Sequence, residues 1–487
     1  MTELPPEKNI VGSKWVFKHK RDADGNIIRY KARLVAQGYS QEYGLDYDEV
    51  FAPVAKFNSI RSVLAIANEL DLEVHQMDVK TAFLNGDLDC EIYMKQPEGF
   101  VDLERPEMVC KLRKSIYGLK QSARCWNETI DSFMKESGYQ QSDADQCIYY
   151  KRITKQGKQC FVIIPLFVDK LIIASNDKEE LMNEKKKFSS RFQMEDEGEL
   201  HFCLGMSIKL DRNQGTLTID QKAYLESVLR RFGMADCKPV STPMEAGKSF
   251  QKLQDDDDPI NIREYQAVIG CLTYASVATR PDISSSVGVL SRFMTKPGKE
   301  HWTGVKRILR YIKGTLNHSL KFKSDGKKKV SLNGYADADW AGDVDARKST
   351  SGYVFQIGSS TVSWTSKRQT VVALSTTEAE YISLSYATQE TVWLRKLLDS
   401  LGFKQHEATT LYEDNQSTIA LIKNPKHHTR TKHIDIKYHF VREAVETNCV
   451  NVKYCPTEDM TADIMTKSLP RPKFEKLRTM LGIVDSQ

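Results

Sequence analysis

Residues 162–174 read Val-Ile-Ile-Pro-Leu-Phe-Val-Asp-Lys-Leu-Ile-Ile-Ala, two apolar, β-branched runs around the polar pair Asp169-Lys170. Such runs fit a β-hairpin buried in a sheet, with its charges at a tight turn. This forces a packed α/β interior on the surrounding chain. A carboxylate on a rigid hairpin tip is placed to hold a divalent cation, since hard cations take oxygen ligands held still. The same residues also suit a solvated surface turn, where polar side chains are common. The rest of the chain has to decide.

At 487 residues the chain is too long for one ordinary domain, and two to four are expected. It is 40% hydrophobic and 28% charged, enough for real cores without a membrane habit. Met-Thr-Glu-Leu-Pro-Pro-Glu-Lys lacks a signal-peptide core, so a cytoplasmic (virus-like particle) or nuclear, non-secreted location is expected, with no membrane partner. Ten scattered cysteines contain no C-x-x-C pair and read as reduced packing residues. A net charge of +5 permits nucleic-acid binding without demanding it.

Two β-rich runs around Asp24-Gly25 make a basic hairpin, with Lys18, Lys20, Arg21, Lys31 and Arg33 on it. A helix follows over 59–70 with Ser59 as N-cap. Next come Met77-Asp-Val-Lys-Thr-Ala-Phe-Leu-Asn-Gly86 and Lys114-Ser-Ile-Tyr-Gly-Leu-Lys-Gln-Ser-Ala-Arg-Cys-Trp126. Together with the 162–174 hairpin these stretches resemble the reverse transcriptase of copia-type LTR retrotransposon Pol polyproteins. The resemblance implies catalytic, metal-binding carboxylates at Asp78 and Asp169. It also implies contacts to the incoming nucleotide from Lys31, Arg33 and Gln121. That family carries aromatic-Val-Asp-Asp at the hairpin; here Lys170 replaces the second aspartate. Ala123 and Cys125 are milder departures.

Helices are expected over 178–192 and 221–232, and 204–208 resembles the turn that grips a primer end. Residues 244–262, with Asp255 to Asp258, read as an acidic linker after a fingers/palm region over 1–243. A thumb- or connection-like helical region spans 263–320. Its helix from His301 to Gly314 aligns Lys306, Arg307, Arg310 and Lys313, as a phosphate-tracking or simply solvated face. A basic linker, 321–330, precedes the last domain, 331–487.

In that domain a strand ends at Asp337-Ala-Asp339, two more strands follow, and Ser375-Thr-Thr-Glu378 is a capping box opening a helix with Glu380 in its first turns. A strand ends at Glu413-Asp414, and Asp463 lies in Met-Thr-Ala-Asp-Ile-Met. The order resembles a ribonuclease H fold, which implies a metal-binding quartet of Asp337, Glu380, Asp414 and Asp463, with Asp339 competing for the first place. The run His427-His428-Thr-Arg-Thr-Lys-His433-Ile-Asp435 belongs to the same pattern, as an aid to product release or nucleic-acid holding. Two Mg²⁺ ions (Mn²⁺ as substitute) held by such a quartet would activate water and stabilise a leaving oxygen.

The expected architecture is therefore multidomain α/β and α+β, a right-hand polymerase followed by a ribonuclease H-like domain. The expected function is RNA-directed DNA synthesis impaired at Lys170, with ribonuclease H action on RNA/DNA hybrids. RNA template, DNA primer, RNA/DNA hybrid and deoxynucleoside triphosphates would be the partners. A non-catalytic nucleic-acid-binding relic or a domesticated Pol fragment is the alternative. Protease, integrase and capsid signatures are missing, so the sequence reads as the C-terminal piece of a Pol polyprotein.

Overall fold

The computed structural model describes residues 1–21, 27–155, 157–253, 260–423 and 435–486. The chain divides into two compact units, Met1–Ala55 with Val74–Gly198, and Lys56–Glu73 with Glu199–Gln487.

The first unit is built on a six-stranded sheet. Its order is Met194–Glu199, Glu73–Val79, Lys170–Ser175, Lys158–Phe167, Ile148–Lys155 and Gln140–Gln141. Every residue from Val162 to Leu166 is buried, so both faces of that strand are covered, as its unbroken apolar run requires. Met77, Val162, Ile164, Leu171 and Ile173 pack with Trp126, Ile130 and Met134 of helix Ser122–Glu136 and with Leu181 and Phe188 of helix Lys178–Arg191. Asp177 caps the latter helix, accepting the Glu180 amide at 2.7 Å.

The 162–174 hairpin is present with one correction. Phe167 pairs with Lys170, so the two turn residues are Val168 and Asp169, not Asp169 and Lys170. Val168 has φ 57°, a conformation such turns normally give to glycine at that position. No glycine marks the turn in the sequence; a Trp126 indole N–H bonded to the Val168 carbonyl (2.6 Å) helps hold it.

The basic hairpin also forms, strand Ser13–Arg21 against Ile27–Ala36. Its expected Asp24-Gly25 turn lies outside the described residues. Ile10–Val11, Tyr93–Met94 and Cys110–Lys111 make a small third sheet in this unit.

The second unit contains two five-stranded sheets. One runs Phe202–Cys203, Met206–Asp211, Thr216–Asp220, His318–Lys323 and Ile483–Asp485. Residues 321–323 of the expected basic linker are therefore strand, paired with Thr216–Thr218. The other runs Ser360–Arg368, Thr350–Ile357, Leu332–Ala338, Thr409–Glu413 and Val450–Tyr454. Its first two pairings are antiparallel and its last two parallel. Helix Thr376–Ser400 packs on the central strands.

Helix Phe57–Leu70 belongs to this second unit. It starts before Ser59, with Lys56 at the N-cap and no side-chain cap bond, so Ser59 is inside the first turn. Its Arg61 is buried, donating to Val362 O (2.8 Å), Val277 O (2.7 Å) and Ala278 O (2.9 Å), and stacks on the Trp364 ring at 3.8 Å. Those carbonyls leave the guanidinium hydrogen-bonded although burial pulls its pKa down to about 9.

Candidate polymerase and nuclease sites

In the first unit, Asp78 is the penultimate residue of its strand and Asp169 sits on the hairpin turn beside it. The Val79 amide donates to the Asp169 carbonyl at 2.7 Å, which locks the two carboxylate-bearing positions side by side. They open on a cavity of about 410 Å³ that Lys31, Arg33 and Tyr117 also line. Two expected phosphate-binding cations and two expected catalytic carboxylates thus converge. The Arg33 guanidinium lies over the Tyr117 ring at 5.5 Å, and that ring meets Phe83 at 4.9 Å. Tyr117 belongs to the 114–126 signature, but nothing in that wording assigns it a role; only the fold makes it a wall of the cavity.

Lys170 decides the electrostatics of this site. Its ammonium lies 2.8 Å from Asp78 Oδ2. Burial alone would lower the Lys170 pKa, but the bond to Asp78 holds it above its ordinary value. Burial, then the neighbouring Asp78 charge, push the Asp169 carboxyl up. Gln121 is not among the residues around this cavity. It is fully buried, its amide donating to Asp46 O (2.9 Å) and its oxygen accepting from Gln41 Nε2 (3.0 Å).

In the second unit the expected quartet is drawn from four elements. Asp337 is the second-last residue of strand Leu332–Ala338, and Asp414 directly follows Thr409–Glu413. Glu380 lies in the second turn of helix Thr376–Ser400, and Asp463 opens the short helix Asp463–Thr466. The helix register is fixed at its start, where Ser375 Oγ accepts the Glu378 amide at 3.2 Å. The Glu378 carboxylate accepts from Leu374 N (2.9 Å) rather than completing a reciprocal box. Ser383 Oγ then ties the helix to the sheet, 2.7 Å from the Asp337 carbonyl. Gly352 lets the Asp463 helix come close, since a Cβ there would lie 2.6 Å from Met465 Cβ.

Carboxylate oxygens of Asp337, Glu380 and Asp414 lie within 4.8 Å of one another. Asp463 joins through Lys467, whose ammonium is 3.0 Å from Asp337 Oδ1 and 2.6 Å from Asp463 Oδ1. Lys473 binds the other Asp463 oxygen, and Thr466 donates its hydroxyl to Asp337. Asp339 is not in the trio: it accepts the Thr350 amide, and burial pushes it up to about 6.

Two residues here escape a reading of the sequence alone. Lys467 follows Asp463 by four positions, a legible helical spacing. Glu413, beside Asp414, is fully buried in its strand. Burial, partly offset by the Asn415 amide and reinforced by the Asp337 and Asp414 charges, pushes Glu413 far up. Glu380 is raised well above its usual range by burial, then by Asp337 and Glu413. Burial, against the pull of Lys467, brings Asp337 up to about 7. Buried Oε2 atoms of both Glu380 and Glu413 have no hydrogen-bond partner among the described residues. Crowded, buried, under-satisfied carboxylates are what a divalent-cation site looks like when its charge is not balanced by protein.

The expected phosphate-tracking face is partly engaged within the chain. Arg307 binds Glu245 (2.9 Å) and Thr242 (3.1 Å), and Arg310 donates to Lys238 O (2.7 Å). Of the 204–208 stretch, Leu204 and Gly205 form the turn between Phe202–Cys203 and Met206–Asp211, the rest being strand, and the Tyr274 hydroxyl is bonded to Leu204 O. The His427–His433 run lies outside the described residues, as does the Asp435 side chain.

Residues 1–246 match the family described as reverse transcriptase (RNA-dependent DNA polymerase). The chain belongs to the copia-type retrotransposon Pol polyproteins of that family. It is 47% identical over 491 residues to the retrovirus-related Pol polyprotein from transposon TNT 1-94 of Nicotiana tabacum, covering 99% of this chain and 36% of that protein. To the corresponding polyprotein from transposon RE1 of Arabidopsis thaliana it is 41% identical, over 98% of this chain and 32% of that one. The chain thus spans about a third of the length of these Pol relatives. Among solved structures it is similar to a foamy viral protease-reverse transcriptase in complex with RNA/DNA hybrid, at 12% identity and TM-score 0.47, covering 93% of this chain and 51% of that one. In this Pol family member, no helix among the described residues is long and apolar enough to cross a membrane.

Proposed function

We propose that this Pol segment cleaves the RNA strand of RNA/DNA hybrids through Asp337, Glu380, Asp414 and Asp463, and that its polymerase module binds primer-template without efficient DNA synthesis. The observation that carries the nuclease half is the meeting of three carboxylates within 4.8 Å from separate elements, with buried oxygens left unpaired beside them. That set suits divalent cations, Mg²⁺ by the hardness of its all-oxygen ligands, with Mn²⁺ as substitute. Bound there, the ions would supply an activated water and charge stabilisation at the leaving oxygen. The protein's own contribution is to hold the carboxylates rigidly and to keep Lys467 between Asp337 and Asp463 until cations displace it.

The polymerase half rests on the Lys170–Asp78 pair. Asp78 and Asp169 remain, but an ammonium already neutralises the first of them. Lys31 and Arg33 still line the cavity and suit the triphosphate of an incoming nucleotide. RNA template, DNA primer and deoxynucleoside triphosphates are the ligands this reading assigns.

One assay separates the halves: a labelled RNA/DNA hybrid with a recessed primer end, incubated with the full chain in Mg²⁺. Cleavage without extension is the expected result. Efficient extension by the natural sequence would overturn the reading of Lys170, and absence of cleavage that of the quartet. Binding without either reaction would favour a purely nucleic-acid-binding role.

A further inference from the structure

Beside the nuclease carboxylates lies a cavity of about 450 Å³ that the proposed reaction does not use. Residues 247–252, helix Ser284–Ser291 with the two residues after it, and the 339–350 segment form most of its wall. Lys467 lines it as well, so the side chain that bridges Asp337 and Asp463 is a wall shared with the carboxylate site.

The charges of this cavity do not balance internally. Asp343 receives two guanidiniums: Arg368 is bonded to its Oδ2, and Arg292 Nη1 lies 3.6 Å from the same oxygen. Asp343 alone cannot neutralise both. Arg292 is also largely sequestered, its side chain 16% exposed, and burial lowers its pKa. It donates one hydrogen bond, Nη2 to Thr350 Oγ1 at 3.2 Å. A guanidinium has five N–H donors, so most of those of Arg292 lack a protein acceptor among the described residues. Asp339, which accepts the Thr350 amide, also acts on Arg292, and Asp345 accepts Lys252 N (3.0 Å); against these carboxylates and Asp343 the wall sets Lys248, Lys252, Arg292, Arg368 and Lys467. Of these cations, Lys252 is exposed.

We propose that this cavity binds a backbone phosphate of the strand engaged by the nuclease carboxylates, with Arg292 donating to its oxygens and Arg368 and Lys252 adding charge. The proposal rests on the nuclease reading above. A phosphodiester matches a planar guanidinium with spare donors, and the volume accepts a nucleotide-sized group. The position beyond Lys467 makes it a neighbour of the scissile phosphate's site.

The test measures Kd of the full chain for a labelled RNA/DNA hybrid, with Ca²⁺ replacing Mg²⁺, over a salt series. Arg292→Gln should weaken binding about 10-fold and flatten the log–log salt slope by about one. Lys252→Gln, an exposed change with little bearing on folding, should weaken it about 3-fold. A methylphosphonate scan should then find one position where removing the phosphate charge weakens the parent but adds nothing to Arg292→Gln. Unchanged Kd and slope in both variants, with the parent binding hybrid, would overturn the cavity's role alone. A parent chain that binds no hybrid would overturn the nuclease reading, and this proposal with it.

Discussion

Both candidate sites place lysine against aspartate, yet with opposite balances. In the polymerase site Lys170 pairs with one of two expected catalytic carboxylates. In the nuclease site Lys467 and Lys473 face Asp337, Glu380, Glu413, Asp414 and Asp463, and buried carboxylate oxygens remain unpaired. A cation site needs surplus negative charge after the protein's own cations are counted. The first site has lost most of its surplus to a single replaced residue, while the second keeps it. On the proposed reading, what decides cation binding beside a lysine is how many carboxylates it leaves over.

The strongest way to break this contrast is to reverse it. Lys170→Asp should raise primer extension at least about 10³-fold, since it changes the local charge by two units and one unit alone at 4 Å is worth about 4 kcal/mol at an effective dielectric of 20. Extension that stays at background would show that the polymerase fails for another reason. In the other direction, Glu380→Gln should cut RNA cleavage by about 10³-fold while leaving hybrid binding within a few-fold, measured in the same tube.

A third buried group sharpens the comparison by showing charge that is fully matched. Arg280 grips Asp282 with two bonds of 2.9 and 2.7 Å, and the Tyr311 hydroxyl donates to the same carboxylate at 2.6 Å. Asp282→Asn should destabilise the second unit by about 3–5 kcal/mol in denaturant unfolding. Burial would raise the Asp282 pKa, but Arg280 holds it below the usual range. Its contribution is thus complete above the unfolded carboxyl's pKa and lost as pH falls towards the folded one. The parent should lose stability in acid more steeply than Asp282→Asn.

At the nuclease site the carboxyl is shifted the other way, upwards, although its readout also falls in acid. Asp337, pushed up to about 7 by burial, keeps its proton where ordinary carboxylates have lost theirs. Protons compete with cations for it, so cleavage at sub-saturating Mg²⁺ should rise about tenfold per pH unit up to about 7 and flatten above. A flat profile from pH 5 to 8 would show that Asp337 is already ionised. The smallest expected effect belongs to the hairpin turn. Val168→Gly, which frees a φ of 57°, should stabilise the first unit by no more than about 1 kcal/mol in the same unfolding assay.

Much of this is legible in the residues, for reasons that also explain the misses. The 162–174 strands announce themselves because both faces are buried and almost every position is apolar. The turn between them does not, because Val168 adopts a glycine-like φ under tertiary contacts such as the Trp126 bond. The quartet positions are readable from motif wording, whereas Glu413 is hidden by its acidic neighbour: only the strand's pleat makes one buried and the next half-exposed. Strand Val450–Tyr454 is easily missed in the sequence, although the alternation Val450, Val452 marks it. The affiliation of helix Phe57–Leu70 has no local signal, because the partners of Arg61 are about 200 and 300 residues further along.

That last separation has a consequence in time. On a ribosome adding about 5–20 residues per second, the carbonyls that receive Arg61 are made some 10–60 s after the helix itself. During that interval a helix with eleven buried positions in the finished fold lacks most of its partners, strand Thr216–Asp220 being the first of them to be made. The nascent chain would have to shelter an apolar surface of its own making, and a pause between residues 70 and 362 would prolong that exposure.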